Sequence, residues 1–354
     1  MTIWGPAVCL VLCSGAPMAG VDLEDVKRGL RDAAAAVESF SFTFRCERMM
    51  RLLPDGDEDV SLHEEAAVVA DARGRGRYEG RRSGVNRLPG GKTKIFEEMA
   101  LGAFDGKVMK SMEGIGKYSL GRITGKRYDL PWQMDPWNYL NRYFNEPVYE
   151  VLEKRGAVLA GSTTWQGRPV LTVETRPVAR AGDKESLGKY RFLVDVERNF
   201  TVVEKAALVK LSPALDWAVY TRISGYDYVE ETPGVWVPMR LEHESLMVKK
   251  EEVEKGIPPK ANWRWNIKVD EWKVNQPLAD SLFEVPFPPG LFVNDQIQGG
   301  SYQVTEDIAM TTPPEAARRR GWGVLAGAAV ILALLALVVI AQRFRARRER
   351  GAPR

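Results

Sequence analysis

The sequence predicts an α+β protein built on one large antiparallel sheet, with a single C-terminal transmembrane helix behind it. Three observations carry this. From Tyr190 to Val274 the chain reads as a succession of long extended segments, several of them alternating apolar and polar side chains, separated by turn residues. Two shorter stretches, after Asp22 and after Asp135, repeat apolar residues at three and four instead. From Gly321 to Ala341 no charged residue occurs at all.

The long alternating region resolves into strands. Tyr190 to Asp195 alternates, Glu197-Arg198-Asn199 is turn-rich, and Phe200 to Leu211 resumes. Asp216 to Glu231 continues, with Gly225 a natural place for a bulge. Thr232-Pro233-Gly234 turns the chain into Val235–Val248. Trp263, Trp265, Ile267 and Val269 then sit two apart, with polar residues between them, so one face is buried and one wet.

Before this region, Leu23, Val26, Leu30, Ala33, Ala34 and Val37 form a helical stripe with Asp22 as N-cap. Phe40, Phe42, Phe44 and Cys46 alternate with Ser41, Thr43, Arg45 and Glu47 as a half-buried strand. The spacing places Cys46 on the phenylalanine face, which predicts a buried thiol. Val60 to Ala72 and Arg75 to Arg82 read as further strands, and Asp105-Gly106 as a tight hairpin turn. Gly114 to Leu130 reads as connection. Asp135-Pro136 opens a helix carrying Trp137, Leu140, Tyr143 and Phe144; Pro147 interrupts it, and Val148–Lys154 continues as a second short helix. Val158–Thr164 and Pro169–Thr175 form a hairpin about Gln166-Gly167-Arg168. After Val274, Leu282 to Phe287 reads as an edge strand.

The 354 residues allow one large domain or two modest ones, and 45% apolar content supports a sizeable core. The net charge of +3 is unevenly placed. Arg318 to Arg354 holds nine arginines and one glutamate, so residues 21–317 are mildly acidic. That balance argues against a nucleic-acid surface. Residues 1–20 are uncharged and end in small residues, resembling a secretory signal. Residues 321–341 span about 31 Å as a helix, enough to cross a bilayer. Residues 296–320 read as a linker and 342–354 as a basic cytoplasmic tail, which puts the domain at 21–295 on the extracytoplasmic side of the cell membrane.

Chemical motifs are weak. Asn86 to Thr93 is one residue from a phosphate-binding loop but lacks its first glycine and its context, and reads as a Pro-Gly-Gly turn. His63 and His243 are the two histidines. His63-Glu64-Glu65-Ala66-Ala67 lacks the second histidine of a zinc-protease helix, and no serine-nucleophile elbow occurs. No catalytic residue, cofactor or metal is expected, and the chain reads as a non-enzymatic binding protein. Lys249 to Lys255 is a mixed charge run suited to an exposed loop or strand extension.

Several local patterns, in this order, resemble the LolA/LolB/RseB superfamily. They are the opening helix running into Ser39-Phe40-Ser41-Phe42, the Phe104-Asp105-Gly106 hairpin and the strands about Gln166-Gly167-Arg168. Phe192-Leu193-Val194-Asp195 before Val202-Val203-Glu204, Gly234-Val235-Trp236-Val237-Pro238, and Phe283-Glu284-Val285-Pro286 near Pro289-Gly290 complete the set. The resemblance implies a curved, unclosed half-barrel sheet whose concave face is covered by helices. It further implies a lipid or lipoprotein acyl chain held between sheet and helices, or a stress-sensing hollow of similar shape, with other envelope proteins as possible partners. The chain departs from the carriers in its membrane helix and in lacking their early Arg-Pro pair; Arg73-Gly74-Arg75 stands near that position. Phe40, Phe42, Phe44, Trp217, Trp236, Trp263 and Trp265 lie on apolar strand faces. Large rings there pack as core or line an acyl-accepting hollow.

Overall fold

The computed structural model describes residues 20–51, 58–87, 93–115, 118–125, 140–143, 146–180 and 183–305. The expected signal, the turn at 54–57, the start of the helix at Asp135, the transmembrane segment 321–341 and the tail lie outside them. Among the described residues no helix is long and apolar enough to cross a membrane.

The chain opens with helix α1 (Leu23–Ala35). Asp22 caps it reciprocally: its carboxylate accepts from the Asp25 backbone at 2.8 Å while Asp25 accepts from the Asp22 backbone at 3.1 Å. Six strands follow, β1 (Ser39–Arg51), β2 (Glu58–Asp71), β3 (Gly76–Arg87), β4 (Thr93–Phe104), β5 (Met109–Ile115) and β6 (Leu120–Thr124). Two short strands, β7 (Arg142–Tyr143) and β8 (Glu146–Pro147), pair with each other and lead into α2 (Val148–Arg155). Strands β9 (Ala157–Trp165), β10 (Arg168–Thr175), β11 (Val178–Arg180), β12 (Asp183–Asp195), β13 (Thr201–Lys210), β14 (Ala218–Thr232) and β15 (Val235–Met247) follow. A short helix α3 (Lys250–Glu254) precedes β16 (Lys260–Val274), and β17 (Phe292–Asp295) and β18 (Gly300–Gln303) close the described chain.

These strands make one unclosed sheet in the order β18-β17-β6-β5-β4-β3-β2-β1-β16-β15-β14-β13-β12-β10-β9, with β11 also on β12. Neighbours pair antiparallel except β6 and β17, which run parallel, so the sheet is mixed. Its centre is the β1–β16 ladder, where a strand from the start of the domain meets one from its end. The helices α1 and α2 contribute Val26, Leu30, Val148, Val151 and Leu152 to the core cluster formed by the phenylalanines of β1 and the aliphatics of β12–β16. The face bearing Phe40, Phe42 and Phe44 is called the inner face below. A second cluster on β4–β6 is sealed by Val285, Leu291, Val293 and Val304 of the returning C-terminal segment.

Several expectations need correction. Gly225 is not a bulge: its pairing with Leu241 stays in register. A Cβ there would lie 2.1 Å from the Tyr228 hydroxyl and 2.9 Å from Leu140, so the glycine makes room for neighbours. Residues 282–287 are no edge strand. They form a short 3-10 turn (Asp280–Phe283) and an irregular strap, in which Pro286 and Pro288 cannot donate to a ladder. Arg75 holds this strap, bonding Asp280 at 2.6 Å and lying over the Phe283 ring. Part of the expected 114–130 connection is β6, and part of the charge run at 249–255 is α3. The sheet also runs past 295 into β18. The phosphate-loop-like stretch joins β3 to β4, whose ends pair Arg87 with Thr93, so it is a hairpin connection without a following helix.

Candidate functional site

The seven aromatic candidates separate into three environments. Phe40, Phe42 and Phe44 of β1 are buried and fill the helix-covered end of the inner face. Phe42 stands 5.9 Å from both Phe40 and Phe44, and 4.5 Å from Trp272 of β16. The Trp272 indole donates to the Pro238 carbonyl at 3.0 Å. Trp272 was missed because period two breaks between Val269 and Trp272. A register shift, Thr43 opposite Glu271 and Phe44 opposite Val269, skips one residue there. Trp236 lies 5.1 Å from the Arg198 guanidinium and lines a cavity of about 20 Å³ with Leu30, Tyr149 and Phe200. Such a space holds about one water. Among the described residues, then, the region between α1, α2 and the sheet is filled by its own side chains. Trp217 is elsewhere, under the Lys189 ammonium, which also pairs with Glu174.

Trp263 and Trp265 form the third environment, at the opposite end of β16. At about 3.3 Å per residue, Trp263 lies on the order of 35 Å along the strand from Val274, the partner of Phe40. Directly opposed residues of neighbouring strands share a face, so the ladders define rows across the sheet. One row runs Lys205, Ile223, His243, Trp265, Arg48, Leu62. The next runs Gly225, Leu241, Ile267, Cys46, Glu64, Arg82. Both rows are on the inner face because Cys46 follows Phe44 on it.

The two indoles are half-buried, 5.4 Å apart, and the His243 ring meets both edge-on at 4.7 and 5.9 Å. The Thr221 hydroxyl lies 3.3 Å from His243 Nε2. Burial, then the nearby Lys205, pushes the imidazole down to about 3, so it is neutral at physiological pH. Lys205 donates to the Arg142 carbonyl at 2.8 Å, and burial brings its ammonium down to about 7. Across β1 the polarity rises. Glu64 has no exposed side-chain area; the Tyr78 hydroxyl donates to it at 2.7 Å and Arg82 Nε lies 2.9 Å from its other oxygen. Gly80 is required here, since a Cβ would lie 2.4 Å from that hydroxyl. Burial first, then the Glu64 charge, raises both the Tyr78 phenol and the Cys46 thiol, leaving each protonated. The thiol is buried, as its spacing predicted.

His243, Lys205, Glu64 and Arg82 were not singled out as site residues from sequence. Each is an isolated polar residue on a period-two strand, and only the register shows which of them share a row. Among the described residues no group of three or more His, Cys, Asp or Glu side chains gathers as a metal site.

No protein-family model matches the chain, and no curated protein matches it. Solved structures are similar at low level, two among them over most of their own length. One is a domain classed with outer membrane lipoprotein-sorting proteins, from Vibrio parahaemolyticus, 8% identical, covering 73% of this chain and 96% of that one, with a TM-score of 0.38. The other is a DUF1329 family protein from Desulfovibrio piger, 11% identical, covering 75% and 98%, with a TM-score of 0.39.

Proposed function

We propose that this chain is an exported, membrane-anchored binding protein that holds an acyl chain of a lipid or lipoprotein, and that the chain lies on the inner face at Trp263 and Trp265. The carrying observation is the contrast in burial along β16. Trp272 is sealed against Phe42, while Trp263 and Trp265 keep part of their ring area open beside a neutral histidine. Each ligand methylene buried on those rings contributes about 0.8 kcal/mol, so a partly inserted chain binds measurably. The filled space beneath α1 and α2 favours this end of the face over the helix-covered one.

Native mass spectrometry of the purified full-length chain, followed by lipid extraction, tests the reading. Co-purified lipid that Trp263→Asp removes while the far-ultraviolet circular dichroism is unchanged is the expected result. No lipid, and no binding of a fluorescent fatty acid, would falsify it. The surviving reading would then be an envelope protein-interaction or stress-sensing module, which the 20 Å³ cavity under the helices favours.

The anchor is part of the proposal and is tested separately. Protease added to intact spheroplasts should remove the domain and spare a tag at residue 354. Full protection of the domain would reverse the orientation.

A further inference from the structure

The two edges of the sheet are built differently. One is β18, a strand of four residues, and a very short edge strand is a usual guard against pairing with another chain. The other is β9, nine residues long, which among the described strands pairs with β10 alone. Its sequence, Ala-Val-Leu-Ala-Gly-Ser-Thr-Thr-Trp, holds no charged residue and no proline. Among the described strands of seven residues or more, β9 is the one without a charge. Lysine, proline or an inward charge normally blunts an edge. Here charges occur on every long interior strand and are missing from the edge, where water would solvate them best. Valine, threonine and tryptophan favour extended chain, so the strand is suited to a further ladder.

One irregularity in β9 selects the partner. Ala157 and Leu159 oppose Thr175 and Val173 of β10, while Ser162 and Thr164 oppose Leu171 and Pro169. Leu171 and Val173 are on the inner face through their partners Val194 and Phe192, the latter opposite Lys205. All four β9 residues are therefore inner, on both sides of an extra residue. That residue is Ala160, skipped by the pairing with β10, beside Gly161 with φ +127°. A regular strand repeats its faces every two residues, so it cannot stay in step with both halves of β9. A second copy of β9 can. Antiparallel about an axis between Ala160 and Gly161, it sets Ala157 opposite Thr164, Val158 opposite Thr163 and Leu159 opposite Ser162. Inner residues then meet inner and outer meet outer, and the partner's extra residue falls at the same point. Both halves of the edge are open: Val158 is 46% exposed, and Ala160, Gly161, Thr163 and Thr164 are exposed as well.

We infer that β9 is a docking edge for a second copy of this chain, joined strand to strand across a two-fold axis so that two sheets run on as one. An isologous contact of this kind closes after two copies. Val158 and Thr163 are both on the outer side, opposite Glu174 and Val170 of β10, and they face each other twice across the axis. Within one chain they are about 17 Å apart along the strand, too far to touch.

The test follows the full-length chain in detergent micelles by sedimentation and by hydrogen exchange of the amides at 157–164. A single ladder buries less than a standard interface, so the range is set at about 1 to 500 μM. The native chain should form dimers as concentration rises, with these amides protected. Val158→Lys/Thr163→Lys puts like charges opposite each other at both ends of the ladder and should weaken association about tenfold. Val158→Lys/Thr163→Glu puts opposite charges there instead and should restore both the dimer and the protection. Its recovery also shows that exposed substitutions on β9 leave the fold intact. A native chain that is monomeric at every concentration overturns the proposal. So does a native dimer whose 157–164 amides exchange no more slowly than those of the double-lysine variant, because that dimer is joined elsewhere. A lysine–glutamate variant that associates no better than the double-lysine one overturns the two-fold pairing and leaves an extended segment of another protein as the occupant of the edge.

Discussion

The two ends of the inner face are made of similar residues and put to different ends. Near the helices, Phe40, Phe42, Phe44 and Trp272 have 1–8% of their area exposed and touch one another ring to ring. At the other end, Trp263, Trp265 and His243 touch in the same way but stay partly open. Aromatic content is therefore no guide to which end stays open. The difference lies in what is laid over the rings. Asn275 shows how firmly the covered end is closed. Its side chain accepts from the Glu38 backbone at 2.8 Å and donates to the Ala36 carbonyl at 2.8 Å, tying α1 to the end of β16.

That contrast can be broken from either side. The largest effect is expected at the packed end: Phe44→Ala should cost about 3–5 kcal/mol through lost burial and a residual cavity. Urea unfolding measures it, and a loss below 1 kcal/mol would mean that this end is not closed.

Acid should attack the open end next. The imidazole of His243 has a folded value depressed to about 3 against an ordinary 6.5. Its contribution is complete above about pH 6.5 and is lost as pH falls toward 3, because the unfolded state takes up the proton first. At pH 5 the loss is about 2 kcal/mol. Comparing unfolding curves of the native chain and His243→Gln between pH 7 and 5 isolates it. An equal slope in both would assign the acid sensitivity to other groups.

A smaller loss, about 1 kcal/mol, is expected from Asp22→Ala, which removes the α1 cap. It should leave acyl binding intact, since α1 covers the other end. Last, Trp263→Ala should change stability by less than about 1.5 kcal/mol, as a half-open ring gives up less burial than a closed one. The same change should weaken a fluorescent fatty-acid probe at least several-fold, and unchanged probe binding would move the site off this end.

Much of the sheet was legible because its signals are local. Strict alternation gave β1 and β16, and turn residues gave the β9–β10 hairpin, where Gln166 and Gly167 both have positive φ. Asp22 was legible as a cap because capping needs only four consecutive residues. The strap and β17 were not, since a four-residue strand that pairs with Leu120–Ile123 leaves no trace in its own sequence. Of the site, Trp263 and Trp265 were legible as large rings on an apolar face. Which rings stayed open was not, because burial depends on where α1 and α2 land. His243 and Arg82 were invisible for a related reason: their significance comes from row partners on other strands.

The β6–β17 pairing bears on the order in which the protein can form. Most ladders join strands close in sequence, so they close as soon as both halves exist. Strand β6 is different, because its outer edge pairs with Phe292–Asp295, near the end of the described chain. During synthesis, the lobe containing β4–β6 therefore emerges with an open edge and with Leu101, Met112 and Ile123 lacking the cover that Val285, Leu291 and Val293 later provide. An open edge beside uncovered apolar residues is the form most prone to pairing with another chain. The last described strands thus act as a folding checkpoint, and truncation before Leu291 should yield aggregates rather than a smaller soluble domain.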